Sequence, residues 1–294
     1  MVEGGAGARE TGTLTLAGVP IGNVEDAPPR LLRALEGARV IAAEDTRRLR
    51  QFASRANVRL GGAEGARVVS YYDANESRRT DELLTDLRGG HDVLVVTDAG
   101  MPGVSDPGYR LAAACGDEGI PVTAIPGPSA VTTALVVSGL PTDRFCFEGF
   151  PPRKGLSGYL ADLAAERRTM VFFESPHRVA ATLEAMAGAF GADRRAAVCR
   201  ELTKTYEEVR RGGLGELAEW ASGGVRGEIS VVVEGARQRP GETGDTALLD
   251  AVSELEEEGV RRKEAIVRVA KETGVPKRRI YDLVHGVVPA ERAD

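Results

Sequence analysis

The chain of 294 residues has few of the side chains that hold metals or form disulfides. Its three cysteines, Cys115, Cys146 and Cys199, are odd in number and widely spaced, which favours neither a disulfide framework nor a zinc knuckle. Its three histidines are equally scattered, so no metal-ligand spacing is visible. We therefore expect a protein without a structural metal.

Long apolar runs and an excess of positive charge are also missing. No apolar stretch approaches the roughly 20 residues that a membrane helix needs, and the Gly/Ala-rich residues 1–11 lack the apolar core of a signal peptide. We interpret residues 1–11 as a disordered leader, and we expect a cytoplasmic protein with no membrane partner. The net charge of −6 argues against polyanion binding over the whole surface.

What the sequence has in abundance is short apolar runs that end in loops rich in glycine and proline. The run Val93 to Thr97 ends at Asp98, and the loop after it contains Gly100, Pro102 and Ser105. Such a run is typical of a strand buried in a parallel sheet, and ligands of these sheets lie beyond the carboxyl ends of the strands. An ordinary strand-to-helix loop with helix-capping acids is the alternative.

Two further segments repeat this pattern. The run Val122 to Ile125 is stopped by Pro126-Gly127-Pro128, and Ser129 is suited to cap a helix that begins at Ala130. The first apolar run, Leu14 to Val19, ends at Pro20. Three such loops within one half of the chain predict a single ligand that is held largely by backbone.

The alternation of strands and helices predicts an α/β fold with two domains and a tail. We place an N-terminal α/β domain with a parallel sheet at 12–126, a second α/β domain at 127–237, and a linker and tail at 238–294. Among the predicted elements are strands at 40–43 and 169–174 and second-domain helices near 156–167 and 177–190. The tail is helical by pattern, with a glycine turn between two amphipathic helices, the second starting near Pro276. This spacing predicts a helix-turn-helix.

The tail also concentrates positive charge. Residues 261–279 contain eight basic and two acidic residues, whereas residues 241–258 contain seven acidic residues and no basic one. Lys277, Arg278 and Arg279 gather at the start of the second predicted helix, which predicts contact with nucleic-acid phosphates. The alternative is a three-helix tail that only packs.

Several segments between about residues 12 and 237 have the character of family motifs. They are Val19-Pro20-Ile21-Gly22-Asn23, Ala43-Glu44-Asp45-Thr46-Arg47, Thr97 to Pro102, Ser105-Asp106-Pro107-Gly108, Ile125 to Ala130, Phe173 to Arg178, Arg200 to Glu208 and Gly227 to Gly235. Together they resemble the signature set of the tetrapyrrole methylase superfamily, which comprises two-domain, non-Rossmann enzymes that use S-adenosyl-L-methionine. The resemblance implies a mixed five-stranded second sheet, a cofactor cleft between the domains and a homodimer.

Within the superfamily, the segments resemble most the bacterial enzymes that methylate a cytidine 2′-hydroxyl of 16S ribosomal RNA. The elements Glu44 to Arg47 and Arg200 to Lys204 favour them over the porphyrinoid-methylating relatives. The implied partner is 16S rRNA or the 30S subunit, and the implied reaction is in-line methyl transfer. Two other hypotheses stay open: methylation of a porphyrinoid or another small molecule, and a non-catalytic nucleic-acid-binding protein.

The loops and the resemblance nominate three groups of site residues. A 2′-hydroxyl is a poor nucleophile, so charged groups at strand ends are candidates for assisting the loss of its proton. The alternatives are structural: Asp45 and Thr46 also suit the start of a helix, and Lys204 also suits a solvated strand end. The catalytic candidates are Glu44, Asp45, Arg47 and Lys204; the cofactor-binding candidates are Pro20, Asp98, Gly100, Pro102, Ser105, Pro126, Gly127 and Ser129; the RNA-binding candidates are Tyr72, Asn75, Glu76, Arg178, Lys277, Arg278 and Arg279.

Overall fold

A computed structural model describes residues 11–236 and 244–286. Nearly all of the expected leader and the middle of the expected linker lie outside these residues. The described chain forms two compact units, one of residues 11–164 and 168–234, the other of residues 165–167, 235–236 and 244–286. None of the helices in either unit is both long and apolar enough to cross a membrane.

The first sheet is parallel throughout, with the strand order β3-β2-β4-β1-β5. Every residue of the central strands β2 and β4 is buried, as their continuous apolar sequences predict. Because all five strands run the same way, their carboxyl ends meet at one edge of the sheet. The strands are β1 (Leu14–Ala17), β2 (Val40–Ala43), β3 (Arg67–Ser70), β4 (Val93–Val96) and β5 (Val122–Ile125).

Helices cover both faces of this sheet, as the sequence predicts. One face packs against α3 and α4 through Leu83, Leu87 and Leu111, and the other packs against α1 and α2 through Leu31 and Leu49. The helices are α1 (Pro29–Gly37), α2 (Thr46–Arg55), α3 (Glu76–Arg88) and α4 (Tyr109–Asp117).

The second sheet is mixed, with the order β6-β7-β10-β8-β9 and one parallel pair, β6 with β7. The predicted α/β fold with a parallel and a mixed sheet is thus confirmed. A buried glutamate, Glu174, ends β7. The strands are β6 (Phe145–Gly149), β7 (Thr169–Glu174), β8 (Arg195–Arg200), β9 (Glu208–Gly213) and β10 (Ile229–Val233).

Four helices pack on the second sheet, one of them missed by the sequence analysis. Helices α6 (Leu156–Leu163), α7 (Val179–Phe190) and α8 (Leu214–Ser222) share one apolar core, and α5 (Ala130–Ser138) packs on the opposite face with Ile21. The missed helix is α8, a short segment directly after Gly212-Gly213. Helix α6 ends four residues before the Arg167 expected from its pattern, because the chain must turn into β7.

The second unit is a small bundle of three helices, α9 (Asp245–Glu257), α10 (Arg262–Thr273) and α11 (Lys277–Val284). Its core contains Leu248, Ile266 and Ile280. Helix α10 ends at Gly274, whose φ of +67° is the left-handed conformation that glycine adopts at low cost. The predicted small helical tail is confirmed, and its last helix starts at Lys277, one residue after Pro276.

Candidate active site

A cavity of about 430 Å³ opens at the carboxyl ends of β2 and β4, within the first unit. Carboxylates of Glu44, Asp98 and Asp106 line its first-sheet side. Its other walls are largely apolar and come from both sheets, with Ile21, Met101, Val104, Phe150, Phe173 and Leu202 among them. The predicted position of the ligand site, beyond the ends of parallel strands, therefore coincides with a cavity.

Glu44 and Asp98 bind the backbone at each other's strand ends. The Asp98 N–H donates to Glu44 Oε2 at 3.0 Å, and the Asp45 N–H donates to Asp98 Oδ1 at 3.1 Å. The backbone hydrogen bonds between β2 and β4 end just before these residues, so the two N–H groups have no partner on the neighbouring strand. The carboxylates serve as their acceptors instead. The two acids are thus held rigidly at the cavity wall.

Burial dominates the electrostatics of this wall. It raises the pKa of Glu44 and of Asp98 above their usual values. For Asp106, burial and the nearby charges of Glu44, Asp98 and Asp73 raise the pKa to about 7. None of the described residues forms a hydrogen bond or an ion pair with Asp106. Its carboxyl can therefore exchange a proton near neutral pH and is available to a ligand.

The cation of this wall is Arg48 rather than the nominated Arg47. Arg48 lines the cavity, and its Nη1 lies 3.4 Å from Asp98 Oδ2. The Arg47 side chain is 87% exposed and its Nε lies 3.7 Å from Asp45 Oδ1. Successive helical residues point about 100° apart, and no sequence signal distinguishes these two neighbouring arginines.

Asp45 takes the helix-capping role that the sequence left open as an alternative. Its side chain accepts the Arg47 N–H at 2.7 Å at the start of α2. That hydrogen bond lowers the pKa of Asp45. A catalytic role for Asp45 and Arg47 stays a prediction.

Four of the nominated cofactor residues line the cavity: Asp98, Gly100, Ser105 and Ser129. The other four, Pro20, Pro102, Pro126 and Gly127, lie in the same three loops, which the backbone joins. Val19 and Gly100 exchange two hydrogen bonds, at 2.9 and 3.2 Å. A Cβ added to Gly18 would lie 2.7 Å from Gly127 Cα, so these two loops touch through backbone.

Lys204 lies in a polar cluster beside the cavity. Its Nζ lies 2.9 Å from Glu201 Oε1 and 2.9 Å from Glu228 Oε2, and Glu228 lines the cavity. Burial lowers the pKa of Lys204, but the two carboxylates outweigh this and raise it overall. Both neighbouring carboxylates therefore hold the ammonium group of Lys204, and a catalytic role for it stays a prediction.

The segment that carries Lys204 has a strained backbone. Glu201 and Thr203 have φ angles of +51° and +65°, which non-glycine residues rarely adopt. The Thr203 hydroxyl accepts the Asn23 N–H at 3.1 Å and so ties this segment to the loop after β1. Gly227 makes room for it, since a Cβ there would lie 2.4 Å from Glu201 Cγ.

The nominated RNA-binding residues of the loop after β3 differ in exposure. Tyr72 is 44% exposed. Asn75 supports the turn, accepting the Tyr72 N–H at 2.9 Å and donating to Ser70 O at 3.1 Å. Glu76 is buried and accepts the Gly108 N–H at 3.0 Å, which gives it a positioning role for the loop after β4.

The remaining nominated residues lie directly before α7 and on α11. The Arg178 guanidinium binds Pro151 O and Pro152 O at 3.1 and 3.2 Å, so it anchors the loop after β6. Lys277 and Arg278 are exposed on the first turn of α11. Arg279 forms an ion pair of 2.9 Å with Asp245 of α9.

Sequence reasoning missed three contributors to the cavity. Arg48 and Phe150 carried no motif signal, and Asp106 lies in the motif Ser105-Asp106-Pro107-Gly108 but was not nominated as a site residue. Glu174 and Ser175, which belong to the motif segment Phe173 to Arg178, also line the cavity. Across residues 11–236 and 244–286, no three His, Cys, Asp or Glu side chains are grouped to hold a metal ion.

Comparison with known proteins agrees with this fold. Residues 13–218 match the family described as Tetrapyrrole (Corrin/Porphyrin) Methylases. The chain belongs to this family, which confirms the resemblance predicted from the motifs.

Among its relatives is "Ribosomal RNA small subunit methyltransferase I" of Mycobacterium tuberculosis, 53% identical over 93% of this chain and 95% of the relative. The protein of that name from Halalkalibacterium halodurans is 42% identical over 94% of this chain and 96% of the relative. Solved structures with a similar fold include uroporphyrin-III-C-methyltransferase of Thermus thermophilus, with a TM-score of 0.54 and 23% identity over 75% of this chain and 94% of that one. Diphthine synthase has a TM-score of 0.58 and 17% identity over 76% of this chain and 90% of that one.

Proposed function

We propose that this protein is an S-adenosyl-L-methionine-dependent methyltransferase that modifies RNA of the small ribosomal subunit, at the 2′-hydroxyl of a cytidine. The observation that carries the proposal is a ligand-sized cavity, with three carboxylates on its first-sheet side, in a chain whose relatives of 53% and 42% identity are named ribosomal RNA small subunit methyltransferase I. The site motifs Glu44 to Arg47 and Arg200 to Lys204 support an RNA substrate over a porphyrinoid.

The cavity suits S-adenosyl-L-methionine in size and chemistry. Its volume of about 430 Å³ falls within the roughly 300–1,000 Å³ of typical ligand pockets. When bound, this cofactor supplies a methyl group activated by a positively charged sulfonium. Asp98, Gly100, Ser105 and Ser129 would hold it, the carboxylates offsetting its positive charge. The nearby loops with Pro20, Pro102, Pro126 and Gly127 shape the backbone around it.

The chain's own residues would align and activate the hydroxyl. Asp106 is the carboxylate best suited to accept its proton, because it has no described partner and a pKa of about 7. Arg48 lies on this wall and Lys204 lies beside the cavity, and both would stabilise charge that develops on the oxygen. Glu44 would position Asp98, and Asp45 and Arg47 would shape the start of α2 beside it.

RNA contact would involve exposed cations and aromatics outside the cavity. Tyr72 would stack, with Asn75 and Glu76 supporting its loop, and Arg178 would act through the loop that it anchors. In the second unit, Lys277 and Arg278 would bind phosphates, with Arg279 beside them. With a ribosomal substrate, we expect the protein to act in the cytoplasm.

We also propose a homodimer. Strand β5 is an edge of the first sheet with three exposed residues, among them Val122, 43% exposed, and Val136 on α5 is 69% exposed. Exposed edges and apolar side chains of this kind are usually covered. Light scattering after gel filtration measures the mass directly; a monomeric mass at micromolar concentration would contradict the proposal.

The test of function is incubation of the purified protein with labelled S-adenosyl-L-methionine and either 30S particles, naked 16S rRNA or a porphyrinoid. We expect label in RNA, and mass spectrometry of the released nucleosides should identify 2′-O-methylcytidine. Label on a base would preserve the RNA substrate but overturn the 2′-O assignment. Label only in the porphyrinoid, or in none of the three, would overturn the function.

A further inference from the structure

Phe150 is an exposed aromatic residue at the cavity. It follows β6, lines the cavity, and is 58% exposed. Its ring centroid lies 5.6 Å from that of Phe173, edge to face, and Phe173 packs in the same way on Phe147 at 4.9 Å. The half-buried Phe173 therefore supports Phe150 from one side, and the other side of the Phe150 ring remains accessible.

The loop that carries Phe150 is anchored. Arg178 donates to the carbonyl oxygens of Pro151 and Pro152, and its Nη1 also lies 3.5 Å from Glu174 Oε1. Glu174 is itself buried and accepts the Thr182 hydroxyl at 2.6 Å. The loop thus holds Phe150 in place while its apolar ring is exposed to water. A ring that is held in this way can bind a flat ligand at little cost in conformational entropy.

Two cations follow Phe150 on the same loop. Arg153 and Lys154 are exposed, and neither forms an ion pair or a hydrogen bond with any residue of the described chain. An aromatic ring followed by free cations is the combination that binds single-stranded nucleic acid, because bases stack on the ring and phosphates pair with the cations. A free cofactor adenine has no phosphate to engage them.

We infer that Phe150 is the stacking platform for an unpaired base of the RNA substrate, and that Arg153 and Lys154 bind the phosphates next to it. The inference rests on the proposed function and names how that site takes its substrate: as a nucleotide unstacked from its neighbours. It also assigns Arg178 a positioning role in RNA binding, through the loop, in place of a direct contact.

The test compares Phe150→Ala with Phe150→Tyr and with Phe145→Ala, a matched control 40% exposed at the other end of β6. Methylation of 30S particles or 16S rRNA gives kcat and KM, and calorimetry gives the cofactor Kd. Stacking on an aromatic ring is worth roughly ten- to a hundredfold in affinity, so Phe150→Ala should raise KM for RNA by about that factor. Phe150→Tyr should restore it, and the cofactor Kd should stay unchanged in all variants.

The outcomes separate this inference from the proposed function. If the wild-type protein methylates no RNA, the proposed function fails. If the wild-type protein is active but Phe150→Ala leaves the KM for RNA unchanged, Phe150 is not the stacking platform. The same conclusion follows if Phe150→Ala weakens cofactor binding as much as RNA binding. In Arg153→Ala/Lys154→Ala, RNA affinity should depend less steeply on salt, with about 0.7 lost from the log–log slope per phosphate contact. An unchanged slope would show that Arg153 and Lys154 do not bind RNA phosphates.

Discussion

The Glu44 carboxylate accepts the Asp98 backbone N–H at 3.0 Å, while the Asp98 carboxylate accepts the N–H of the residue after Glu44 at 3.1 Å. Each acid thus completes the hydrogen bonds of the neighbouring strand end. The arrangement holds two carboxylates at one wall of the cavity although burial raises the pKa of both. Substitutions can separate the effect of their charge from the effect of their hydrogen bonds.

Glu44→Gln keeps an acceptor oxygen for the Asp98 N–H, whereas Glu44→Ala leaves that N–H without a partner. We expect Glu44→Ala to lower the free energy of unfolding by about 1 kcal/mol, the lower end of the cost of an unsatisfied buried group, because this N–H is only partly buried. Glu44→Gln should lower it much less. Urea unfolding of both variants measures the difference. Equal losses would show that the hydrogen bond contributes no stability.

Asp106 should make methylation depend on pH. With a pKa of about 7, its carboxyl loses its proton as the pH rises through 7, so the wild-type rate should increase over that interval. Asp106→Asn should lose this dependence and, if Asp106 is the general base, turn over about 10²- to 10⁴-fold more slowly. A variant that keeps the wild-type pH profile would exclude Asp106 as the base.

Stability provides an independent check on Asp106. Its pKa in the folded protein is raised from 3.8 to about 7, so burying the group favours its neutral form. The wild-type protein should therefore lose stability as the pH rises toward and through 7, and Asp106→Asn should not share this loss. We expect the Tm of Asp106→Asn to exceed that of wild type more at pH 8 than at pH 5. A constant difference would show that the pKa is not raised.

Gly227 should be needed to place Glu201, and through it Lys204. A Cβ at Gly227 would lie 2.4 Å from Glu201 Cγ, whereas one at Gly224 meets nothing within 4 Å. The two glycines have similar φ angles, +94° and +91°, so an alanine at either position strains the backbone to a similar extent. Gly227→Ala should reduce methylation strongly and Gly224→Ala only slightly. Similar activities would show that the Glu201–Lys204 pair does not support the reaction.

The start of α11 should contribute to RNA binding through charge. Lys277→Ala/Arg278→Ala removes two exposed cations, so the log–log salt slope of RNA affinity should fall by about 1.4–1.8. Cofactor affinity should not change. Arg268→Ala is a suitable control, because Arg268 pairs with Glu264 at 2.8 Å on α10. A slope equal to that of wild type would assign the second unit a packing role only.

Much of the fold was predictable because local rules agree with tertiary packing. Strands β2, β5 and β7 were predicted with their observed ends, since each is a continuous apolar or β-branched run bounded by polar residues, glycine or proline. Helix α8 was missed because a nine-residue helix directly after two glycines has a weak periodic signal.

The site was predictable in position but only partly in composition. Asp98, Gly100, Ser105 and Ser129 were found because they follow strands whose carboxyl ends meet. The choice of Arg48 over Arg47, and the inward hydrogen bonds of Glu76 and Arg178, depend on side-chain directions that sequence spacing does not specify.

By itself, the sequence determined the family, the alternation of strands and helices, and the loops at which a ligand must lie, because these follow from hydrophobic period and from motifs that are local in the chain. Only the tertiary structure decided which charges share a wall of the cavity. Asp106 titrates near neutral pH because residues from distant strands and loops bury its carboxyl group. Phe150 is an exposed aromatic residue with a fixed position because Phe173, from another strand, supports its ring. Burial and contact depend on the packed chain as a whole, so no local pattern predicts them.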